Sequence, residues 1–215
     1  MNIKRYGFFI LAVVFSLGIN VLSATEVQAA ELLEPQKIIE DASVKLKQRI
    51  QEPGFAHNFQ KITEFVDHVI YPNVDFDLIS SLVLGKLWKE ASPADRESFK
   101  REFQILLIRT YSRALFELKD WSVRFLPVNG ENLDKKVIVK TEILQPGLQP
   151  ISLNYAMLNI NGGWKVYDFI IEGVSLVNQY RASFKNEAEH SSLQQVIGQL
   201  AKKNYDALHN AKEKT

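Results

Sequence analysis

Apolar residues recur every three or four positions through much of the first half of the chain, as in helices that bury one face. In the first such segment they are Ile38, Ile39, Ala42, Leu46 and Ile50. The spacing predicts four helices: residues 35–51, 58–70, 75–85 and about 92–118.

The fourth predicted helix has the strongest local signals. Ser92 is a favourable N-cap, Pro93 suits the first helical position, and Asp95 lies in the first turn, where a carboxylate complements the positive end of the helix. Its apolar residues cover more than a narrow stripe. They include Phe99, Phe103, Leu106, Leu107, Ile108, Tyr111, Ala114 and Leu115. We therefore expect this helix to be buried over a wide surface.

The pattern changes after residue 120, where short apolar runs alternate with turn-forming residues such as Asn129-Gly130 and Asn161-Gly162. It predicts four strands: residues 121–128, 136–144, 151–160 and 164–172. Two more helices should follow, at about 176–186 and 192–209. The expected fold is α+β, a curved four-stranded antiparallel meander packed against about six helices.

Two of the predicted strands depart from simple alternation. The strand 164–172 is apolar on both sides, with Val166 and Ile170 on one side and Phe169 and Ile171 on the other. The strand 151–160 changes the parity of its apolar residues, which indicates a bulge or a strong bend near residue 157. This surplus of apolar surface fits either a solid two-layer core or an apolar cavity.

The N-terminal residues have the pattern of a secretory signal peptide. Lys4 and Arg5 precede an apolar run from Gly7 to Val21, which is short for a membrane span. We predict cleavage after Ala29 and a single exported domain of residues 30–215. An uncleaved membrane anchor is the alternative. The chain has no cysteine, which excludes a lipoprotein, disulfides and thiolate metal sites.

Charge and motifs exclude several function classes. Removing residues 1–29 takes Lys4, Arg5 and Glu26 from totals of 26 basic and 25 acidic residues, so the exported chain is neutral. It therefore lacks the excess positive charge that is typical of nucleic-acid-binding proteins. There is no Gly-rich nucleotide loop, HExxH or GxSxG motif. The four histidines are not spaced as metal ligands, so we expect neither a metal nor a cofactor.

Asp168 is an ionisable residue that interrupts an apolar strand. Such a residue usually pairs with a nearby arginine, and the candidates are Arg109, Arg113, Arg124 and Arg181. The alternative is a catalytic base in a small cone-shaped α+β enzyme of the isomerase type. Its partner would then be Tyr155 or Tyr167.

Two blocks of sequence resemble the toluene-tolerance family, the MlaC-type periplasmic phospholipid carriers of the Mla pathway. The first block is YPNVDFDLISSLVLGKLWKEASPADRESFKREFQILLIRTYSRALFEL, residues 71–118. The second is GGWKVYDFIIEGVSLVNQYRASF, residues 162–184. They occur in the family's order and spacing, behind a signal peptide and without cysteine. Together they extend the resemblance over nearly the whole exported chain.

The resemblance implies a non-enzymatic, monomeric carrier in the periplasm that maintains the lipid asymmetry of the outer membrane. The acyl chains of a phospholipid would lie between sheet and helices, with no cofactor. Its partners would be an outer-membrane lipoprotein–porin complex and an inner-membrane ABC transporter with an MCE-domain subunit. A periplasmic chaperone or binding module with a solid core, and the enzyme that uses Asp168, remain the alternatives.

Residues with apolar or aromatic side chains near the expected lipid cavity are candidates for its lining. From the helices we predict Leu84, Leu107, Tyr111 and Leu115. From the sheet and the segment that follows it we predict Phe125, Val139, Leu153, Tyr155, Phe169, Ile171, Val174, Leu176 and Tyr180. Val174 follows Gly173 where the last strand turns into a helix, so we expect it near an opening.

Overall fold

A five-stranded antiparallel sheet has helices against one of its faces. The computed structural model describes residues 31–117, 120–128, 133–188 and 191–210 of the 215-residue chain. The predicted signal peptide, residues 1–29, lies outside this part, so its cleavage stays a prediction. The α+β class predicted from the sequence is confirmed.

The described helices follow the predicted order. They are α1 Glu34–Ile50, α2 Phe59–Phe65, α3 Phe76–Leu84, α4 Lys86–Glu90, α5 Pro93–Glu117, α6 Leu176–Ala188 and α7 Leu193–Asn210. The side chains of Asn58, Asp75 and Ser92 accept hydrogen bonds from backbone N–H groups in the first turns of α2, α3 and α5. Each cap supplies an acceptor that the helix itself cannot offer.

Two helical features differ from the prediction. The segment 58–70 is only partly α-helical, because α2 continues into a π-helical turn at Val66–Ile70 and a 3₁₀ turn at Tyr71–Asn73. The short helix α4 was missed. It begins directly after Gly85, whose φ of 57° separates it from α3.

The sheet has the strand order β1-β2-β3-β4-β5. The strands are β1 Ser122–Phe125, β2 Lys136–Leu144, β3 Ile151–Ile160, β4 Gly163–Ile171 and β5 Val174–Ser175. The prediction of four strands was short by β5, and β1 is shorter than expected. A tight turn with positive φ at Glu172 (49°) and Gly173 (80°) joins β4 to β5. A two-residue strand has no periodicity to detect, and Glu172 is not a usual turn signal.

The irregularity predicted near residue 157 is confirmed. Ala156 pairs with Asp168 but Met157 pairs with Val166, so Tyr167 is an extra residue in β4. Tyr155 and Met157 lie on the same face of β3, and their partners on β4 are Phe169 and Val166. The bulge therefore places Val166 and Phe169 on one face, although their sequence separation is odd. This explains why β4 reads as apolar on both sides.

The densest packing lies where the first half of α5 meets α6. The ring of Phe103 is 1% exposed and lies 5.4 Å from Phe99, 5.1 Å from Tyr180 and 5.9 Å from Phe184. Helix α7 packs along α5 and adds Leu193, Val196 and Leu200 to the same core. A smaller cluster of Phe55, Ile62, Phe65 and Ile108 joins α5 to α2.

Polar contacts fasten the edge of β4 to the helical layer. Asp75 N–H donates to the Val166 carbonyl at 2.8 Å, beside a parallel bridge between Val74 and Val166. The Lys165 ammonium donates to the Pro72 carbonyl. These bonds satisfy part of a strand edge that would otherwise be unpaired.

Candidate functional site

An apolar interface lies where α3, α5 and the start of α6 approach β4. It contains a cavity of about 10 Å³ bounded only by apolar atoms. The residues around it are Ile79, Phe103, Leu107, Asp168, Phe169, Leu176 and Val177. This volume holds about one water molecule. The predicted cavity is therefore at the expected place between sheet and helices, but it is small.

The predicted lining residues differ in burial. Leu84, Val139 and Tyr180 are buried in the main core. Val174 is 53% exposed, and the side chain of Leu115 lies outside the described part. The remaining predicted residues are partly buried: Leu107, Tyr111, Phe125, Leu153, Tyr155, Phe169, Ile171 and Leu176.

The cavity brings together Leu107, Phe169 and Leu176 from the predicted set. The ring of Tyr155 lies 5.8 Å from that of Phe169 on the adjacent strand. The other predicted residues whose side chains the structure describes do not border the cavity, and contact with lipid stays a prediction for the whole set.

Sequence reasoning missed Ile79, Phe103, Asp168 and Val177 as cavity residues. Ile79 and Phe103 were recognised as parts of apolar helix faces, and that signal marks burial without telling core from cavity. Val177 directly follows Leu176, and both positions are in the first turn of α6. Only the approach of α3, α5, α6 and β4 to one another makes these residues neighbours.

Tyrosines lie on both sides of the interface, Tyr111 and Tyr180 on the helices and Tyr155 on the sheet. Burial, together with the neighbouring Tyr180 hydroxyl, raises the pKa of Tyr111 to about 12. On the sheet, burial raises the pKa of Tyr155 well above its ordinary value, and its hydroxyl interacts with Thr141. The phenols of Tyr111 and Tyr155 therefore stay protonated at neutral pH, and each can donate a hydrogen bond.

The prediction that Asp168 pairs with an arginine is wrong. Its Oδ2 accepts a hydrogen bond from the Ser175 hydroxyl at 2.5 Å, and its Oδ1 accepts one from the Val177 N–H at 3.1 Å. Ser175 Oγ in turn accepts from the Asn178 N–H. Asp168 therefore fastens the first turn of α6 to β4, where a carboxylate also complements the helix dipole.

The geometry gives little support to an enzyme that uses Asp168 with Tyr155 or Tyr167. Asp168 pairs across the sheet with Ala156, whereas the Tyr155 hydroxyl interacts with Thr141. The ring of Tyr167 lies 5.4 Å from the Lys136 ammonium. Both oxygens of Asp168 already accept hydrogen bonds from within the fold.

A larger groove, of about 400 Å³, is open to solvent between α1 and the helical segment 59–70. Its basic residues Lys45 and Arg49 form ion pairs with Asp41 and Glu52 at 2.6 Å. These exposed pairs within one segment are typical of a solvated helix surface. The groove lies apart from the sheet, so we place the candidate site at the smaller apolar cavity.

Neither a metal-type cluster nor a membrane-spanning helix is found among the described residues. They hold no cluster of three or more His, Cys, Asp or Glu side chains suited to a metal ion. Among the helices in this part of the chain, none has the length and hydropathy that a membrane crossing requires.

Known proteins similar to this chain bind phospholipid or confer toluene tolerance, according to their names. Toluene tolerance protein ttg2D of Pseudomonas putida is 23% identical over 224 aligned positions, which cover 100% of this chain and 99% of that protein. The intermembrane phospholipid transport system binding protein MlaC of Haemophilus influenzae is 26% identical over 170 positions, 76% of this chain and 79% of that protein.

A solved structure has the same fold. It is the phospholipid-binding protein from Ralstonia solanacearum in complex with a phospholipid, with a TM-score of 0.76 and 27% sequence identity. The match covers 82% of this chain and 99% of that one. The sequence model of the MlaC protein family matches residues 40–202, most of the chain. The resemblance seen in the sequence is thus confirmed, and the chain belongs to the MlaC family.

Proposed function

We propose that this chain is a periplasmic phospholipid carrier of the Mla pathway that helps to maintain the lipid asymmetry of the outer membrane. One observation carries the proposal. The fold matches a protein solved with a phospholipid, and its sheet and helices meet in an interface whose cavity is walled by apolar atoms alone. Such a wall can pack against acyl chains, but it provides no hydrogen-bonding group for a polar substrate.

The energetics of acyl chains support a site between the two layers. Burial of each methylene group is worth about 0.8 kcal/mol, so two chains of about 30 methylenes represent roughly 24 kcal/mol. The cavity of about 10 Å³ must widen greatly to hold them. The partly buried side chains Leu107, Tyr111, Tyr155, Phe169 and Leu176 mark where the layers can separate with the least loss of packing.

We further propose that the protein acts without catalysis, metal or cofactor, as a monomer. Transfer of a lipid between membranes breaks no covalent bond, and a hydrophobic site with a suitable opening is sufficient for it. The signal-peptide pattern of residues 1–29 supports export to the periplasm. The outer-membrane lipoprotein–porin complex and the inner-membrane ABC transporter with its MCE-domain subunit are the proposed partners.

Lipid extraction from the exported protein tests this function. We expect organic extraction and mass spectrometry to recover phospholipid in near-stoichiometric amount with the purified protein. A buffer-exchanged periplasmic protein of similar size, purified in parallel, controls for lipid carried over from membranes. Exported protein that lacks phospholipid and takes up none from vesicles would contradict the proposal and favour a solid-core binding module.

A further inference from the structure

A phospholipid brings polar groups to the edge of any apolar cavity that holds its chains. The two ester linkages of a diacyl lipid carry carbonyl oxygens, which accept hydrogen bonds and cannot donate them. A buried acceptor without a donor costs free energy. The wall of the cavity consists of apolar atoms. A donor for an ester carbonyl must therefore come from residues next to the cavity.

Two tyrosine hydroxyls are placed to supply that donor. Tyr111 lies one turn after Leu107 on α5, and Tyr180 lies one turn after Leu176 on α6. Leu107 and Leu176 both border the cavity. Side chains on a helix lean toward its N-terminus, which carries both phenol rings back toward these leucines. The hydroxyls interact with each other, so the pair spans the gap between α5 and α6.

Two other polar side chains of the sheet, Tyr155 and Asp168, are already engaged. The Tyr155 hydroxyl interacts with Thr141, whose own hydroxyl donates to the Leu153 carbonyl. Both oxygens of Asp168 accept bonds from α6 and its N-cap. A hydrogen bond between two phenols uses only one of their two O–H donors. The tyrosine pair therefore retains one donor, and the raised pKa of Tyr111 keeps its phenol protonated at every physiological pH.

We propose that the Tyr111–Tyr180 pair donates a hydrogen bond to a glycerol ester carbonyl of the carried diacyl phospholipid. This inference rests on the proposed carrier function and adds a chemical preference to it. The pair would favour ester-linked lipids over ether-linked lipids with the same chains and headgroup, because an ether lacks the carbonyl acceptor.

Internal competition between two lipids tests the preference. Vesicles contain equal amounts of dioleoyl-phosphatidylglycerol and its ether-linked counterpart with chains of the same length. The full exported protein is incubated with them, and native mass spectrometry reads the ratio of the two lipids bound. We expect wild-type protein to favour the diester about three- to tenfold, the range expected for one hydrogen bond.

The double variant Tyr111→Phe/Tyr180→Phe is the informative one, because either single substitution leaves one hydroxyl of the pair that can still donate. We expect its diester-to-diether ratio to fall close to one. Tyr205→Phe removes a hydroxyl from a ring that is 61% exposed on α7 and should keep the wild-type ratio. The ratio compares two lipids in one sample, so a general loss of stability does not change it.

Distinct results would overturn the inference. A wild-type ratio of one would show that no ester carbonyl is recognised, whatever the variants do. A preference that persists in Tyr111→Phe/Tyr180→Phe would assign it to other residues. Binding of both lipids with no preference would leave the carrier function intact, whereas capture of neither lipid by wild-type protein would overturn that function and the inference with it.

Discussion

The two halves of helix α5 contact very different surroundings. In its first half, Phe99 and Phe103 are at most 1% exposed and pack against the rings of Tyr180 and Phe184. In its second half, Leu107 and Tyr111 are only partly buried, and Leu107 borders the small apolar cavity together with Phe169 and Leu176. One helix thus contributes both to a solid core and to an interface with little packing to lose.

This difference shows how one domain can remain folded while two of its layers move apart. Interlocked aromatic rings and α7 hold the first half of α5, and separation there would lose many close contacts. The second half loses less, because its side chains are already partly exposed. Acyl chains that enter there would replace water-exposed apolar contacts with buried ones.

Alanine substitutions along α5 should have the largest effect on the free energy of unfolding. Phe103→Ala removes a fully buried ring and should lower the free energy of unfolding by about 3–5 kcal/mol. Leu107→Ala, one turn later, should cost about 1–2 kcal/mol because that side chain is partly buried. Urea unfolding of the lipid-free proteins measures both values. Equal losses at the two positions would mean that both halves of α5 belong to one solid core.

Substitution of Asp168, which connects the first turn of α6 to β4 by hydrogen bonds, should have an intermediate effect on stability. Asp168→Asn keeps the size of the side chain but can accept only one of the two bonds, from Ser175 and Val177, that the carboxylate accepts. We expect a loss of about 1–3 kcal/mol in the free energy of unfolding. Lipid content should persist, because Asp168 positions α6 and does not hold the ligand.

Glu142→Gln is the matched control for Asp168→Asn, since it makes the same chemical change on the same sheet. Glu142 pairs with Arg124, whose side chain is 53% exposed. Exposed ion pairs contribute about 0–1 kcal/mol, so this variant should lose less stability. Loss of lipid from Asp168→Asn at an unchanged melting temperature would contradict the structural role and indicate direct contact with lipid.

The sequence predicted the features that depend on local pattern. The helix cap at Ser92 was found because the capping residue is adjacent to the helix it caps. An irregularity near residue 157 was predicted from the parity change in β3, although the extra residue, Tyr167, is in β4. The family was recognised from residues 71–118 and 162–184, and the fold class follows from the same segments.

Features that depend on contacts distant in sequence were missed. Asp168 accepts its hydrogen bonds from Ser175 and from the N-terminus of α6, a helix that packs on β4. These partners are uncharged, so the charge pattern of the sequence does not predict them. The cavity residues Ile79 and Phe103 have the same periodicity as core residues. The volume of the cavity depends on how closely α5 approaches the sheet, which single-residue patterns do not encode.

Val174→Glu should have the smallest effect on stability of these substitutions, and it gives the sharpest test of the comparison between the two halves of α5. Val174 is 53% exposed in β5 and directly precedes Ser175 and Leu176 at the start of α6. In the lipid-free protein a carboxylate there can reach water, so we expect the free energy of unfolding to change by less than about 1 kcal/mol. Acyl chains that pass this position would bury the charge without a partner, which is costly.

We therefore expect Val174→Glu to fold and be exported but to carry several-fold less phospholipid, as measured by extraction and mass spectrometry. Val44→Glu is the matched control, because Val44 is 50% exposed on α1, away from the cavity. It should keep the wild-type lipid content. Equal lipid content in the two variants would place the entrance elsewhere, and a Val174→Glu protein that cannot fold would make β5 part of the solid core. Loss of lipid from Val174→Glu alone would place the entrance for acyl chains where β5 meets α6, next to the apolar cavity that Leu107 and Leu176 border.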